Sequence, residues 1–332
     1  MKAILMTGPG TPDVLRLREV AIPEITHRND ILVQLKAAGV NPVDTKLRSR
    51  GTYHPDRLPT ILGCDGAGIV EAIGRDVSRF KVGDEVYFCN GGIGGHPGNY
   101  AEYAVVNEHF AAAKPHSISF AEAAAAPLVL ITAWECLFNA CELEEQDSVL
   151  IHAGAGGVGH VAIQLAKAAG GFVCTTVSNT DKAAFVSDLG ADKVIQYQDE
   201  DFVKAIHSWT GGEGVDLALD SIGGETLNRT FEAVRFYGDI VTLLQPDTNI
   251  RWHIPRLRNQ RLAFELMLTP MQHGLFEMQK HHGKILTECA DLFDSEKLKI
   301  HVSHTLPLAN AAEAHRLIEK GKTTGKIVLT MD

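Results

Sequence analysis

Residues 153 to 159 read Ala153-Gly154-Ala155-Gly156-Gly157-Val158-Gly159, set between an apolar run, Val149 to Ala153, and an amphipathic run, Val158 to Ala169. A strand that turns sharply into a helix through glycines lets backbone approach a ligand closely, and the free N–H groups of the first helical turn attract a phosphate. A glycine cluster alone is also compatible with an ordinary tight turn. The residues C-terminal to the cluster favour a pyrophosphate cradle. After Gly170-Gly171 a second apolar run, Phe172 to Val177, supplies the next strand, and the position that would carry an acidic residue for the ribose hydroxyls of NAD carries Ser178, followed by Asn179, Thr180 and Lys182. An acidic side chain there would repel a 2′-phosphate, whereas Ser178 and Lys182 can bond and neutralise one. NADPH is therefore the expected cofactor; a polar turn with a solvated lysine is the plain alternative.

The same strand and helix rhythm continues along the chain. Lys193–Tyr197, Val215–Asp220, Asp239–Leu244 and Leu262–Leu268 read as strands, with helices from Asp181 to Leu189, near Phe202–Trp209 and over Glu225–Val234. Alternation of this kind predicts a doubly wound parallel α/β sheet. Before it the pattern differs: Ile31–Ala38, Gly66–Ile73, Glu85–Phe88 and Tyr100–Val106 alternate as strands between Gly, Pro and Asp, which predicts a β-rich module. After Pro270 come a long helix near 274–294, a strand around Lys299–Ser303, a helix Ala309–Glu319 and a closing strand Lys326–Thr330. The expected division is a dinucleotide domain over 126–269 and a second domain built from 1–125 together with 270–332.

A length of 332 residues is enough for two full cores, and 45% hydrophobic with 22% charged residues is ordinary for a globular chain. The formal charge of −10 offers no basic footprint for nucleic acid or an anionic membrane surface. The opening apolar stretch Met1 to Met6 is broken at once by Gly8 and Pro9, and no run reaches membrane-spanning length, so a cytoplasmic location is expected. The six cysteines contain no C-x-x-C pair, and neither His281-His282 nor His301-x-x-His304 can point both rings at one ion, so no metal site is expected.

Several ordered motifs resemble the medium-chain dehydrogenase/reductase superfamily. They are Gly39-Val40-Asn41-Pro42-Val43-Asp44, Leu62-Gly63-Cys64-Asp65-Gly66-Ala67-Gly68, Phe80-Lys81-Val82-Gly83-Asp84-Glu85-Val86, the glycine loop, Asp220-Ser221-Ile222-Gly223-Gly224 and Gly325-Lys326-Ile327-Val328. The resemblance implies a Rossmann cofactor domain beside a chaperonin-10-like β-barrel substrate domain, with the active cleft between them. Where zinc-dependent members place a cysteine, a Gly-His-Glu triplet and a second cysteine, this chain has Asn41, Gly63-Cys64-Asp65 and Leu128. An amide and an aliphatic side chain cannot replace two zinc ligands. Cys64 and Asp65 are then best read as packed structural residues.

The remaining resemblance is to the zinc-free quinone oxidoreductases and related enone reductases. It implies NADPH-dependent hydride transfer to a quinone, with two alternatives: reduction of an enone, alkenal or enoyl thioester, or a non-enzymatic role as an NADPH-binding structural or regulatory protein. It implies catalytic roles for Asn41, Thr132 and Tyr53, with Lys46 a further candidate donor to the substrate oxygen. The implied cofactor set is Asn41, Thr132, Ala155, Gly156, Gly157, Val158, Gly159, Ser178, Lys182, Tyr197, Ser221, Leu244 and Lys326. Each also has a plainer reading, Asn41-Pro42 as a turn, Thr132 as a cap and Tyr197 as a strand-end aromatic. A homodimer joined through Rossmann sheet edges is likewise implied, with Leu262–Leu268 the candidate edge. The glycine-dense segment Asn90 to Asn99 reads as a flexible surface loop, or alternatively as a lid.

Overall fold

A computed structural model describes residues 1–331 and divides the chain into two compact units. The first comprises Met1–Ile131, Leu268–Glu296 and the residues from Ile300 onward; the second comprises Thr132–Met267 with Lys297–Lys299. The helix Pro127–Trp134 carries the crossing point, and continues as a π-helical turn, Glu135–Ala140.

The second unit is a six-stranded, wholly parallel sheet. Numbered by position along the sequence within this unit, its strands lie in the order 3-2-1-4-5-6, with Ser148–Ile151 first in sequence and Arg261–Phe264 at one edge. The central strands, Ser148–Ile151, Phe172–Val177 and Val215–Asp220, are short and mostly buried on both faces, as a parallel sheet covered by helices requires. Leu150, Cys174, Ile195, Ala218 and Ile240 from five of the strands pack against Phe202, Ile206, Leu227 and Phe231 from the covering helices. The edge strand is shorter than its apolar pattern suggests, ending at Phe264 rather than Leu268.

The first unit is a seven-stranded sheet with a small three-stranded sheet, Leu15–Glu19, Lys2–Met6 and Thr60–Ile61. Its organising strand is Asp30–Val40. One edge of that strand pairs with Asp65–Ile73; the other is shared by Tyr103–Asn107 at its start and Lys326–Thr330 at its end. Ile31, Val33 and Leu35 alternate inward onto Val70, Val86, Phe88 and Val106, the period-two burial of strands paired antiparallel. The C-terminal strand is thus an integral member of the N-terminal module. No helix among the described residues is long and apolar enough to cross a membrane.

Two local expectations are corrected. The 1–125 module also contains helices, and Asn41-Pro42 begins one of them, Pro42–Arg50, rather than ending a strand in a turn. Its buried face carries Asp44, Thr45 and Arg48 with Leu47, so it lacks the apolar stripe by which a helix is recognised in sequence. The 90–99 loop is not a loose surface loop. Most of it is buried, and Asn99 Nδ2 donates to the carbonyls of Gly63 at 3.2 Å, Cys64 at 2.8 Å and Asn90 at 3.0 Å. Its glycines serve close packing: Gly92 has φ +80°, and a Cβ there would lie 2.6 Å from the carbonyl of Gly63. Gly92→Ala is expected to lower the unfolding free energy by at least about 2 kcal/mol in urea titration. A change within about 0.5 kcal/mol would mean that the loop yields after all.

Candidate active site

In the parallel sheet, the residues singled out for the cofactor come from separate loops and collect at the carboxyl ends of the strands. The glycine loop follows Ile151; Ser178 follows Val177; Tyr197 follows Gln196; Ser221 follows Asp220; Leu244 lies just past Thr242. Val177 pairs with Gln196, which sets Ser178 and Tyr197 side by side beyond adjacent strand ends. Lys182 lies in the first turn of the helix Thr180–Asp188, whose cap is Asn179, accepting from the Lys182 N–H at 2.9 Å. Tyr197 is 52% exposed, open to a ligand from outside.

The cradle itself fits a pyrophosphate. A Cβ on Gly154 would lie 2.0 Å from Thr175 Oγ1, so only glycine lets the loop cross the sheet at that height. Gly156 caps the helix Gly157–Ala168, and its carbonyl accepts the His160 N–H at 3.2 Å, leaving the N–H groups of Gly157, Val158 and Gly159 as the open first turn. Ala155 is buried under this loop. His152, at the end of the first strand, is structural: its ring nitrogens bond Thr176 Oγ1 at 3.0 Å and Thr230 Oγ1 at 2.9 Å, and burial pushes its pKa down to about 4. Asp220 gives the next loop its shape, accepting the N–H groups of Ile222 and Gly223 on one oxygen and the Thr242 hydroxyl on the other. In the sequence Asp220 is marked only as the first residue of the Asp220-Ser221-Ile222-Gly223-Gly224 motif.

In the first unit, register gathers the remaining polar residues. Ile327 pairs with Val40, so the antiparallel ladder sets Lys326 opposite Asn41, while Gly39 pairs with Asp65 on the other side. All three side chains are buried. Lys326 Nζ donates to Asn41 Oδ1 and lies 3.6 Å from Asp65 Oδ2; Asn41 Nδ2 donates to that same oxygen at 2.8 Å; the Leu128 N–H donates to Asp65 Oδ1 at 2.8 Å. Burial works against both charges, raising the Asp65 pKa and lowering that of Lys326, while each partner's charge pulls the other back toward its ionised form. Three converging donors are a set that a carboxylate satisfies.

A second layer lies behind Asn41. Its backbone N–H donates to Asp44 Oδ2 at 2.9 Å; Tyr100 donates to the same oxygen at 2.9 Å, and the Tyr100 oxygen is 3.3 Å from His315 Nε2. Asp44 Oδ1 is buried without a partner. Burial pushes the Asp44 pKa up to about 7, against the pull of the Asn41 N–H and the Tyr100 hydroxyl. Burial, and then Arg48, push His315 down to about 3. Sequence reading missed Tyr100 and His315, which are 215 positions apart and carry no local signal. Thr132 is buried in its helix, Tyr53 is 40% exposed with its N–H on the Ile93 carbonyl at 3.2 Å, and Lys46 is exposed.

The "Alcohol dehydrogenase GroES-like domain" pattern matches residues 27–116, and the "Zinc-binding dehydrogenase" pattern matches residues 189–329. Quinone oxidoreductase 1 of Escherichia coli is 32% identical over 96% of both chains. The chain belongs to the medium-chain dehydrogenase/reductase superfamily. Within it, this oxidoreductase falls in the zinc-free, quinone oxidoreductase branch. Human quinone oxidoreductase is 30% identical over 100% of this chain and 98% of its own. The crystal structure of Escherichia coli quinone oxidoreductase complexed with NADPH superposes with a TM-score of 0.87 at 31% identity, covering 100% of both chains.

Zinc does not fit the residues in place. Asn41 and Asp65 are spent on the Lys326 ammonium and on each other, and Leu128 offers only its N–H. The Cys89 thiol is pushed well above its ordinary range, first by its hydrogen bond with Cys64 and then by burial, which disfavours the thiolate that a metal needs. No three His, Cys, Asp or Glu side chains converge as a metal site among the described residues.

Asp44 makes a prediction of definite sign. A carboxyl raised from 3.8 to about 7 stabilises the fold fully below the lower value and loses that contribution as pH rises through the upper one. Wild-type stability should therefore carry a component that declines between about pH 4 and 7. Subtracting the thermal-unfolding profile of Asp44→Asn should reveal it. Parallel profiles would show that Asp44 is ionised throughout.

Proposed function

We propose that this enzyme is an NADPH-dependent, zinc-independent reductase that transfers a hydride to a quinone. The observation that carries the reading is the convergence of an open helix N-terminus with Ser178, Lys182 and Tyr197 at the carboxyl ends of one parallel sheet, the place where doubly wound folds bind dinucleotides. The quinone oxidoreductase relatives, one of them solved with NADPH, support the choice of acceptor and cofactor.

The N–H groups of Gly157, Val158 and Gly159 take the pyrophosphate, with Ala155 and Gly156 shaping the turn. The hydroxyls of Ser178 and Tyr197 and the Lys182 ammonium take the 2′-phosphate. Ser221, Leu244 and Thr132 are assigned to the nicotinamide end, and Asn41 and Lys326 of the barrel unit are assigned to the cofactor as well. When bound, NADPH supplies a hydride from C4 of its nicotinamide. The Asn41 amide holds the acceptor oxygen as negative charge grows on it. Tyr53, polar and partly open, is assigned to the substrate side. A quinone is electrophilic enough for its product to take protons from water, so no buried general acid is assigned.

We further propose a cytoplasmic homodimer. The edge strand Arg261–Phe264 leaves a row of backbone groups unpaired, and Phe264 and Leu266 are exposed beside it.

NADPH oxidation measured against a panel of quinones and enones tests the activity; turnover confined to enones would replace the quinone assignment. Lys182→Ala tests the phosphate assignment. Loss of a charge-assisted bond should raise the KM for NADPH about tenfold or more while leaving that for NADH nearly unchanged. Equal effects on both cofactors would remove Lys182 from the phosphate site.

A further inference from the structure

We propose that Lys326 is a positioning residue of the hydride-transfer site: its ammonium locks the Asn41 carboxamide in one orientation, leaving a single amide N–H as the donor to the substrate oxygen. This rests on the reductase reading. The geometry is within one unit and fixed by strand register, with Lys326 opposite Asn41 across one ladder and Asp65 brought alongside by the other.

The chemistry of the three groups admits one arrangement. An ammonium only donates, so the atom of Asn41 that meets Lys326 Nζ is the carbonyl oxygen. A carboxylate only accepts, so the atom that meets Asp65 Oδ2 is the amide nitrogen, at 2.8 Å. An amide between two neutral hydroxyls could flip; between these two charges it cannot. The nitrogen carries two hydrogens, and Asp65 takes one. No acceptor among the described residues takes the other. The backbone N–H of Asn41 is anchored separately on Asp44 at 2.9 Å, so main chain and side chain are both held. A preorganised donor of this kind acts where charge develops on the acceptor oxygen and needs no reorientation during the reaction.

Lys326 also neutralises Asp65, so a single substitution would confuse positioning with a buried unpaired charge. The test therefore uses two proteins, Lys326→Met alone and Lys326→Met combined with Asp65→Asn. The single variant should lose thermal stability and turnover together. The double variant, relieved of the buried charge, should recover most of the lost Tm, yet keep a kcat about 10- to 100-fold below wild type. A second readout needs no cofactor. In cofactor-free wild-type enzyme labelled with 15N-asparagine, the two Asn41 amide protons should give separate, slowly exchanging resonances that collapse or exchange rapidly in both variants. Recovery of kcat together with Tm in the double variant, or an unchanged Asn41 signal in the single one, would reduce Lys326 to a counter-ion. Should wild type itself turn over neither quinones nor enones, the reductase reading fails while the resonance test of the lock still stands.

Discussion

A lysine ammonium buried between an asparagine and an aspartate is the constraint around which the barrel unit is arranged. Lys326, Asn41 and Asp65 come from distant parts of the chain, and the last strand must insert beside Asp30–Val40 for the ammonium to reach its partners. Breaking such a pair by removing one member commonly costs roughly 3–5 kcal/mol, because the survivor is left charged and dry. The same strand pairing that completes the sheet therefore completes the charge balance. A C-terminus so placed is tied to the N-terminal fold by chemistry as well as by hydrogen-bond ladder.

Around that centre the polar groups form layers. Asp65 gathers the Asn41 amide, the Leu128 N–H and the ammonium; Asp44 gathers the Asn41 N–H and the Tyr100 hydroxyl, which lies near His315. Each buried acid has different surroundings. Asp65 has a cation beside it, whereas Asp44, with one oxygen unpartnered, has its pKa pushed up to about 7 by burial. The parallel-sheet unit obeys another principle: Ser178, Tyr197 and Ser221 stand just past the carboxyl ends of its strands, beside the first turn of the helix Gly157–Ala168.

That contrast explains what could be read from sequence. The parallel sheet was legible because its determinants are local: short apolar runs, the glycine loop, and Ser178 in place of an acid each sit within a few residues of what they shape. The barrel network was legible only in part. Asn41 and Lys326 were marked by resemblance, but their contact spans 285 positions and is made by sheet register, which no window of sequence carries. Pro42–Arg50 was missed as a helix because its inward face is polar, and the glycines of 90–99 suggested motion where they permit backbones to touch. Tyr100 and His315 had no local signature at all.

The lock on Asn41 requires Lys326 to be a cation at working pH, since only an obligate donor fixes the amide. Its Nζ can be observed directly in enzyme labelled with 15N-lysine, by chemical shift through the neutral range. An ammonium nitrogen at neutral pH, in slow exchange with solvent, is expected, although burial lowers the Lys326 pKa below that of an ordinary lysine. A neutral amine at pH 7 would contradict it, because an amine can accept as well as donate and would leave the carboxamide free to turn.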